Sequence, residues 1–99
     1  MNTTAGTASE VTRHCVLTDR ATKLKFVIVS WRNVPMVSFN DPMMMLTVSR
    51  GLTAATGMDA LTHAIEAYVS VDANPVTDAC AMQSIKLIAN NLRQAVANG

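Results

Sequence analysis

The pattern of apolar and polar positions changes character near the middle of the chain. Ahead of about Ser49, short apolar runs alternate with turn residues. Cys15-Val16-Leu17-Thr18 reads as a short strand, and Asp19-Arg20-Ala21-Thr22 as a polar turn. Lys25-Phe26-Val27-Ile28-Val29-Ser30 reads as a second strand. Its apolar residues run on without alternation, so it is expected to be buried on both faces. Met36-Val37-Ser38-Phe39 is expected to form a third short strand, ended by Asp41-Pro42. After Gly51 the period lengthens: Met58, Leu61, Ile65 and Tyr68 recur every three or four residues and make one apolar stripe of a helix. The turn Val71-Asp72-Ala73 follows. Asn74 is then a good N-cap, Pro75 suits the first helical position, and Asp78 lies in the first turn, where the helix dipole favours a carboxylate. Met82, Ile85, Ala89, Leu92 and Val96 continue a second stripe towards Gly99, a candidate helix cap. The expected layout is strands first, then two long helices.

Composition sharpens this picture. The chain has 99 residues, 49% of them apolar and 15% charged, which suffices for one small core at most. The low charge and the seven methionines fit a piece of a larger domain better than a free-standing one. Net charge is +1, with basic residues scattered along the chain, so neither a nucleic-acid stripe nor a membrane-surface patch is present. Cys15 and Cys80 fit no zinc spacing and are too few for a disulfide framework; each is expected to be a reduced, buried thiol. The start, MNTTAGTASE, has neither the basic nor the apolar region of a secretory signal. The longest apolar run, Phe26 to Val29, falls far short of the ~20 residues of a membrane span. A soluble, cytoplasmic protein with no nucleic-acid or membrane partner is expected.

Two stretches carry candidate chemistry. In GMDALTHAIEAY, Gly57 to Tyr68, Asp59 and His63 stand four residues apart on one helical face. A carboxylate and an imidazole one turn apart can converge on a divalent ion, but two ligands do not complete a site, which usually takes three or four. Spacing alone leaves the pair open between a metal site and a solvated face. Glu66, one turn on, is a further candidate partner, and His14, the other histidine, sits on the β-rich half, where a structural role is the simpler reading. At the front, Asn2 to Glu10 concentrates hydroxyls around Gly6. Such a loop can offer N–H and O–H donors to a phosphate or ribose, with Gly6 permitting close approach; a capped turn begun by Thr7 or Ser9 is the plainer alternative. Neither a GxGxxG nor a Walker loop is present.

NTTAGTASEVT, Lys25 within KFVIVS, Asp41-Pro42, LTAATGMDALTHAIEAY and NPVTDA, in this order, together resemble the iron-containing (group III) alcohol dehydrogenases. The resemblance covers essentially the whole chain, and Thr53 to His63 matches the family's metal segment throughout. It implies an α/β plus all-α architecture of the dehydroquinate synthase-like, iron alcohol dehydrogenase fold. Residues 1–50 would be the end of an NAD-binding α/β domain, and residues 51–99 the first helices of a helical metal-binding domain. Asp59 and His63 would be the first two of four ligands to a catalytic Fe²⁺, with Zn²⁺ as the alternative, the other two being histidines further along. Thr3, Thr4 and Thr7 would line the NAD, Lys25 would reach its ribose or phosphates, and Val16 and Leu52 would pack on it. The pyrophosphate loop of the family would precede Met1. The family usually carries a proline shortly before LTAATG, where this chain has Ser49-Arg50-Gly51; without it the helix entry loses a pre-set φ and is expected to be looser.

The implied reaction is hydride transfer between a nicotinamide and a small aldehyde whose carbonyl is polarised by a Lewis-acidic metal. The wording VTRHCVLT with KFVIVSWRNVP points, within the family, to 1,3-propanediol and 3-hydroxypropionaldehyde, the chemistry of glycerol fermentation. Lactaldehyde and butanol types are the alternatives. No side chain here is marked as a general acid. The whole enzyme is expected to be a homo-oligomer, and the fragment by itself inactive. A small non-catalytic module that binds a partner is the rival from another class, and it would leave Asp59 and His63 as ordinary polar residues.

Overall fold

The computed structural model describes residues 1–98; the expected end of the second stripe at Gly99 lies outside them. Two compact units are present. One comprises Met1–Asn2 with Ala8–Asp41, the other Thr3–Thr7 with the chain from Pro42 onward.

The first unit is built on a hairpin of β1 (His14–Thr18) and β2 (Lys25–Val29), paired antiparallel with His14 opposite Val29 and Thr18 opposite Lys25. The polar turn forms as expected. Asp19 accepts from the Ala21 amide at 2.9 Å and from the Thr22 hydroxyl at 2.7 Å, an Asx-type turn that offers the backbone a local partner. Lys23 takes a left-handed φ of 56° before the strands meet again at Asp19 N–H to Leu24 C=O. At the open end the Asn33 side chain donates to the carbonyls of Arg13 and Ile28. Arg32 lies 5.2 Å from the ring centre of the exposed Trp31.

Two expectations fail in this unit. Met36-Val37-Ser38-Phe39 is bend and irregular chain with no strand partner, and Met36 is 99% exposed. A strand needs a neighbour for its backbone N–H and C=O groups, and the sheet among the described residues has two strands, β1 and β2. The expected burial of β2 on both faces is also not found: all five of its residues are exposed. A continuous apolar run marks a strand made to be covered twice, but a two-stranded hairpin supplies no layer for either face.

The second unit is an antiparallel helix pair preceded by a 3₁₀ turn at Pro42–Met45. Helix α1 (Arg50–Val69) begins just over two turns ahead of Met58, the first residue of its apolar stripe. Ser49 caps it, its hydroxyl accepting from the Leu52 amide at 3.3 Å, so the entry lacking a proline is closed by a side-chain cap. The chain then turns at residues 70–74, and α2 (Pro75–Asn98) starts as expected. Asn74 Oδ1 accepts from the amides of Val76 and Thr77 at 3.1 and 3.2 Å, and Thr77 bonds back to the Asn74 backbone. Asp78 sits in the first turn of α2 with Oδ1 buried and unpaired among the described residues, where the partial positive charge of the helix end offsets its desolvation.

The packing face of α1 keeps only Leu61 of the expected stripe. Thr53, Gly57, Ala60, Leu61 and Ala64 turn inward, whereas Met58, Ile65 and Tyr68 are about half exposed. On α2 the inward positions are Ala81, Ser84, Ile85, Ile88, Leu92 and Val96, with Met82 and Ala89 of the expected stripe exposed. The cause is size. Ala64 and Ala81, at 7% and 5% exposure, are the buried apolar residues, and a Cβ on Gly57 would run into the Leu92 side chain. Small side chains let two helix backbones come close, and contact follows the small face rather than the bulky one. Cys15 is half-buried and Cys80 exposed; both are free, so burial of the second thiol is not found. No helix among the described residues is long and apolar enough to cross a membrane.

Candidate metal and cofactor site

At 100° per residue, Leu52, Thr56, Asp59 and His63 fall within about 60° of one another around the α1 axis. They lie beside the face that packs on α2, not on it. Asp59 and His63 are therefore open, with side chains 48% and 57% exposed, and His63 Nδ1 stands 3.8 Å from Asp59 Oδ2. Each donor binds a first-row divalent ion at roughly 2.0–2.2 Å, so two donors sharing one ion stand at most about 4.2 Å apart. The observed separation fits that limit, and a carboxylate with a neutral imidazole suits Fe²⁺ and Zn²⁺ alike. No group of three or more metal-ligating side chains occurs among the described residues. Asp59 and His63 by themselves offer two of the three or four donors that a metal site usually takes. Glu66 lies on the same side of α1, one turn beyond His63, and is exposed.

The Thr-rich segment belongs to the same unit as α1. Thr4 is half-buried, while Thr3 and Thr7 are exposed, so their hydroxyls are free to meet a ligand. Ala5 lines an apolar cavity of about 240 Å³ together with Pro42, Met45, Thr53, Thr56 and Ala95. Gly6 makes a contact that sequence reasoning assigned differently. Its φ is +131°, and a Cβ there would stand 2.6 Å from the Thr56 carbonyl carbon and closer still to its oxygen. The close approach that glycine permits is to helix α1, one turn before Asp59. The signal was the glycine itself; its target is not written in local sequence.

Leu52, 46% exposed, lies on the Asp59 face near the start of α1. The structure thus brings Thr3, Thr4, Thr7, Leu52, Asp59 and His63 into one unit. Val16, on β1, and Lys25, the first residue of β2, are both exposed and belong to the hairpin unit. His14, also on β1, is exposed.

Comparisons with known proteins converge on one family. Residues 53–99, from α1 to the chain end, match the Fe-containing alcohol dehydrogenase family, C-terminal. Over all 99 residues the chain is 76% identical to 1,3-propanediol dehydrogenase of Klebsiella pneumoniae, 26% of whose length it covers. A crystal structure of 1,3-propanediol oxidoreductase superposes with a TM-score of 0.89 at 77% identity, over 97% of this chain and 25% of that one. Sulfoacetaldehyde reductase from Bifidobacterium kashiwanohense, solved in complex with NAD+, superposes with a TM-score of 0.91 at 45% identity, over 96% and 25%. The chain spans about a quarter of the length of the curated relatives it matches. With the helical segment and the fold both matched at this identity, the chain belongs to the iron-containing alcohol dehydrogenase family.

Proposed function

We propose that this chain is part of an NAD-dependent, iron-dependent oxidoreductase that interconverts a small primary alcohol and its aldehyde, with 1,3-propanediol and 3-hydroxypropionaldehyde as the substrate pair. The observation that carries the reading is the open Asp59/His63 pair on α1, one turn from the carbonyl on which the Thr-rich loop rests. A dehydrogenase has to hold its hydride carrier beside the group that polarises the carbonyl. The substrate pair rests on the 76% identity to the Klebsiella enzyme of that name, and NAD on the bound cofactor of the sulfoacetaldehyde reductase.

In this reading Asp59 and His63 hold the ion, the carboxylate lowering its net charge and the imidazole coordinating in its neutral form. Bound iron supplies Lewis acidity towards a carbonyl or alkoxide oxygen. NAD supplies the hydride acceptor or donor. The hydroxyls of Thr3, Thr4 and Thr7 orient the nicotinamide dinucleotide, Lys25 meets its ribose or phosphates, and Leu52 and Val16 provide apolar contact that keeps water from the reacting carbon. The remaining ligands and the pyrophosphate loop come from elsewhere in the enzyme, which works as a cytoplasmic homo-oligomer.

Iron content and turnover of the whole enzyme test this. Asp59→Ala and His63→Ala should each abolish iron retention and lower kcat/KM by at least ~10³-fold, the scale on which electrostatic stabilisation of an oxyanion acts. A variant that kept both its iron and its rate would remove the ligand assignment. Across a panel of aldehydes, a strong preference for lactaldehyde or butyraldehyde over 3-hydroxypropionaldehyde would replace the substrate and leave the reaction class. The 99-residue chain alone, with half a metal site, should show no NADH oxidation.

A further inference from the structure

We propose that Gly6 is a positioning residue of the cofactor site. As the residue of the Thr3–Thr7 loop without a side chain, it seats that loop directly on the Thr56 carbonyl and fixes the three threonines against the helix that carries Asp59 and His63. The inference rests on the functional reading above and goes beyond it by naming the contact that sets the distance between cofactor and metal.

The argument begins with what Gly6 touches. A Cβ at this position would stand 2.6 Å from the Thr56 carbonyl carbon and 3.2 Å from its Cβ, with the carbonyl oxygen nearer than either. Ordinary van der Waals contact begins at 3.4 Å. The obstacle is backbone in the interior of α1, so it cannot swing aside as a side-chain tip would. The Thr56 side chain is pinned as well, its hydroxyl donating to the carbonyl of Leu52 at 2.9 Å and approaching that of Thr53 at 3.4 Å. A φ of +131° adds a second requirement for glycine, since L side chains rarely tolerate it. The loop lines the same surface on either side of this contact: Ala5 shares an apolar cavity with Thr53 and Thr56, and Gly6 shares a second with Ala60 and Leu92.

Any side chain at position 6 therefore lifts the loop from α1 by about 1 Å, a displacement sufficient to cost on the order of 10²-fold in rate when it separates reacting groups. Iron retention does not pass through this contact, because Asp59 and His63 stay on an undisturbed helix. Gly57 provides the control. It is the next residue of α1, and a Cβ there meets the terminal methyls of Leu92, which can move.

The test uses the whole iron-loaded enzyme. Gly6→Ala should raise the KM for NADH at least ~10-fold and lower kcat/KM about 10²-fold, with iron per subunit as in the wild type. Gly57→Ala should lower Tm yet leave the KM for NADH within about twofold. Wild-type kinetics in a folded Gly6→Ala enzyme would overturn the proposal, as would an equal kinetic loss in Gly57→Ala. A wild-type enzyme that retains no iron and oxidises no NADH would instead sink the functional reading. Should Gly6→Ala fail to fold, hydrogen exchange on the wild-type holoenzyme decides. NADH should slow exchange in residues 3–7 and 52–58 together; protection of 3–7 alone, or of neither, overturns the proposal.

Discussion

The hairpin unit and the helical unit differ in what holds them. Between β1 and β2 the bonds are backbone ladder, an Asx turn and the two Asn33 side-chain bonds, while the apolar side chains of β2 stay in solvent. Between α1 and α2 the contact is packing, concentrated on Ala64, Ala81 and the Gly57/Leu92 approach. Hydrogen bonds exchange for water and typically contribute about 0.5–1.5 kcal/mol each, whereas lost packing costs several. The same substitution should therefore be felt strongly in one unit and barely in the other. The difference also bears on function. The candidate metal pair sits on the unit with a packed framework, and rigid support is what holds ligands to the tolerance a catalytic site needs.

Overpacking the helix contact should break this contrast most visibly. Ala64→Leu or Ala81→Leu puts three extra carbons into a contact with no room, at an expected cost of about 1–3 kcal/mol, read as a lowered midpoint in urea unfolding of the 99-residue chain. Removing the α2 cap comes next: Asn74→Ala leaves the Val76 and Thr77 amides without their partner and should cost about 1 kcal/mol. Val27→Ala on β2 should fall within about 0.5 kcal/mol, because Val27 is already 52% exposed. A loss at Val27 as large as at Ala64 would mean that the hairpin face is covered in solution, and the contrast would collapse.

How legible these features were depended on whether their cause was local. Turn and cap chemistry is local, and Asp19, Asn74, Pro75 and both helices stand where their residue types put them. The period of α1 announced a helix but not which face it would bury. Met58, Ile65 and Tyr68 make the more apolar stripe, yet Gly57, Ala60 and Ala64 win the contact because α2 brings its own small residue, Ala81, and no pattern within α1 encodes that partner. The third strand failed for a related reason: Met36 to Phe39 has strand-like residues without a neighbour to pair with. For the site, the four-residue spacing of Asp59 and His63 placed them on one face, but only resemblance to a family gave that face a metal. The Gly6 contact was out of reach, since it joins residues fifty apart in sequence.

The smallest expected effect belongs to the hairpin turn. Hydrogen bonds from the Thr22 hydroxyl and the Ala21 amide hold the Asp19 carboxyl below its ordinary value. A carboxylate whose pKa is lower in the folded turn than in the open chain contributes its full stabilisation above the unfolded value of about 4. That contribution fades as the pH falls through the lowered folded value, when protonation removes the acceptor. The turn should therefore loosen in acid. Chemical shifts of Ala21 and Thr22 should titrate together with a midpoint below that of an open-chain aspartate, while those of α1 residues do not follow. Asp19→Asn should abolish the titration and leave the helical unit unchanged. A midpoint at the open-chain value would show that the side-chain bonds of the turn do not persist in solution, and would leave the β1–β2 ladder as the hairpin's main support.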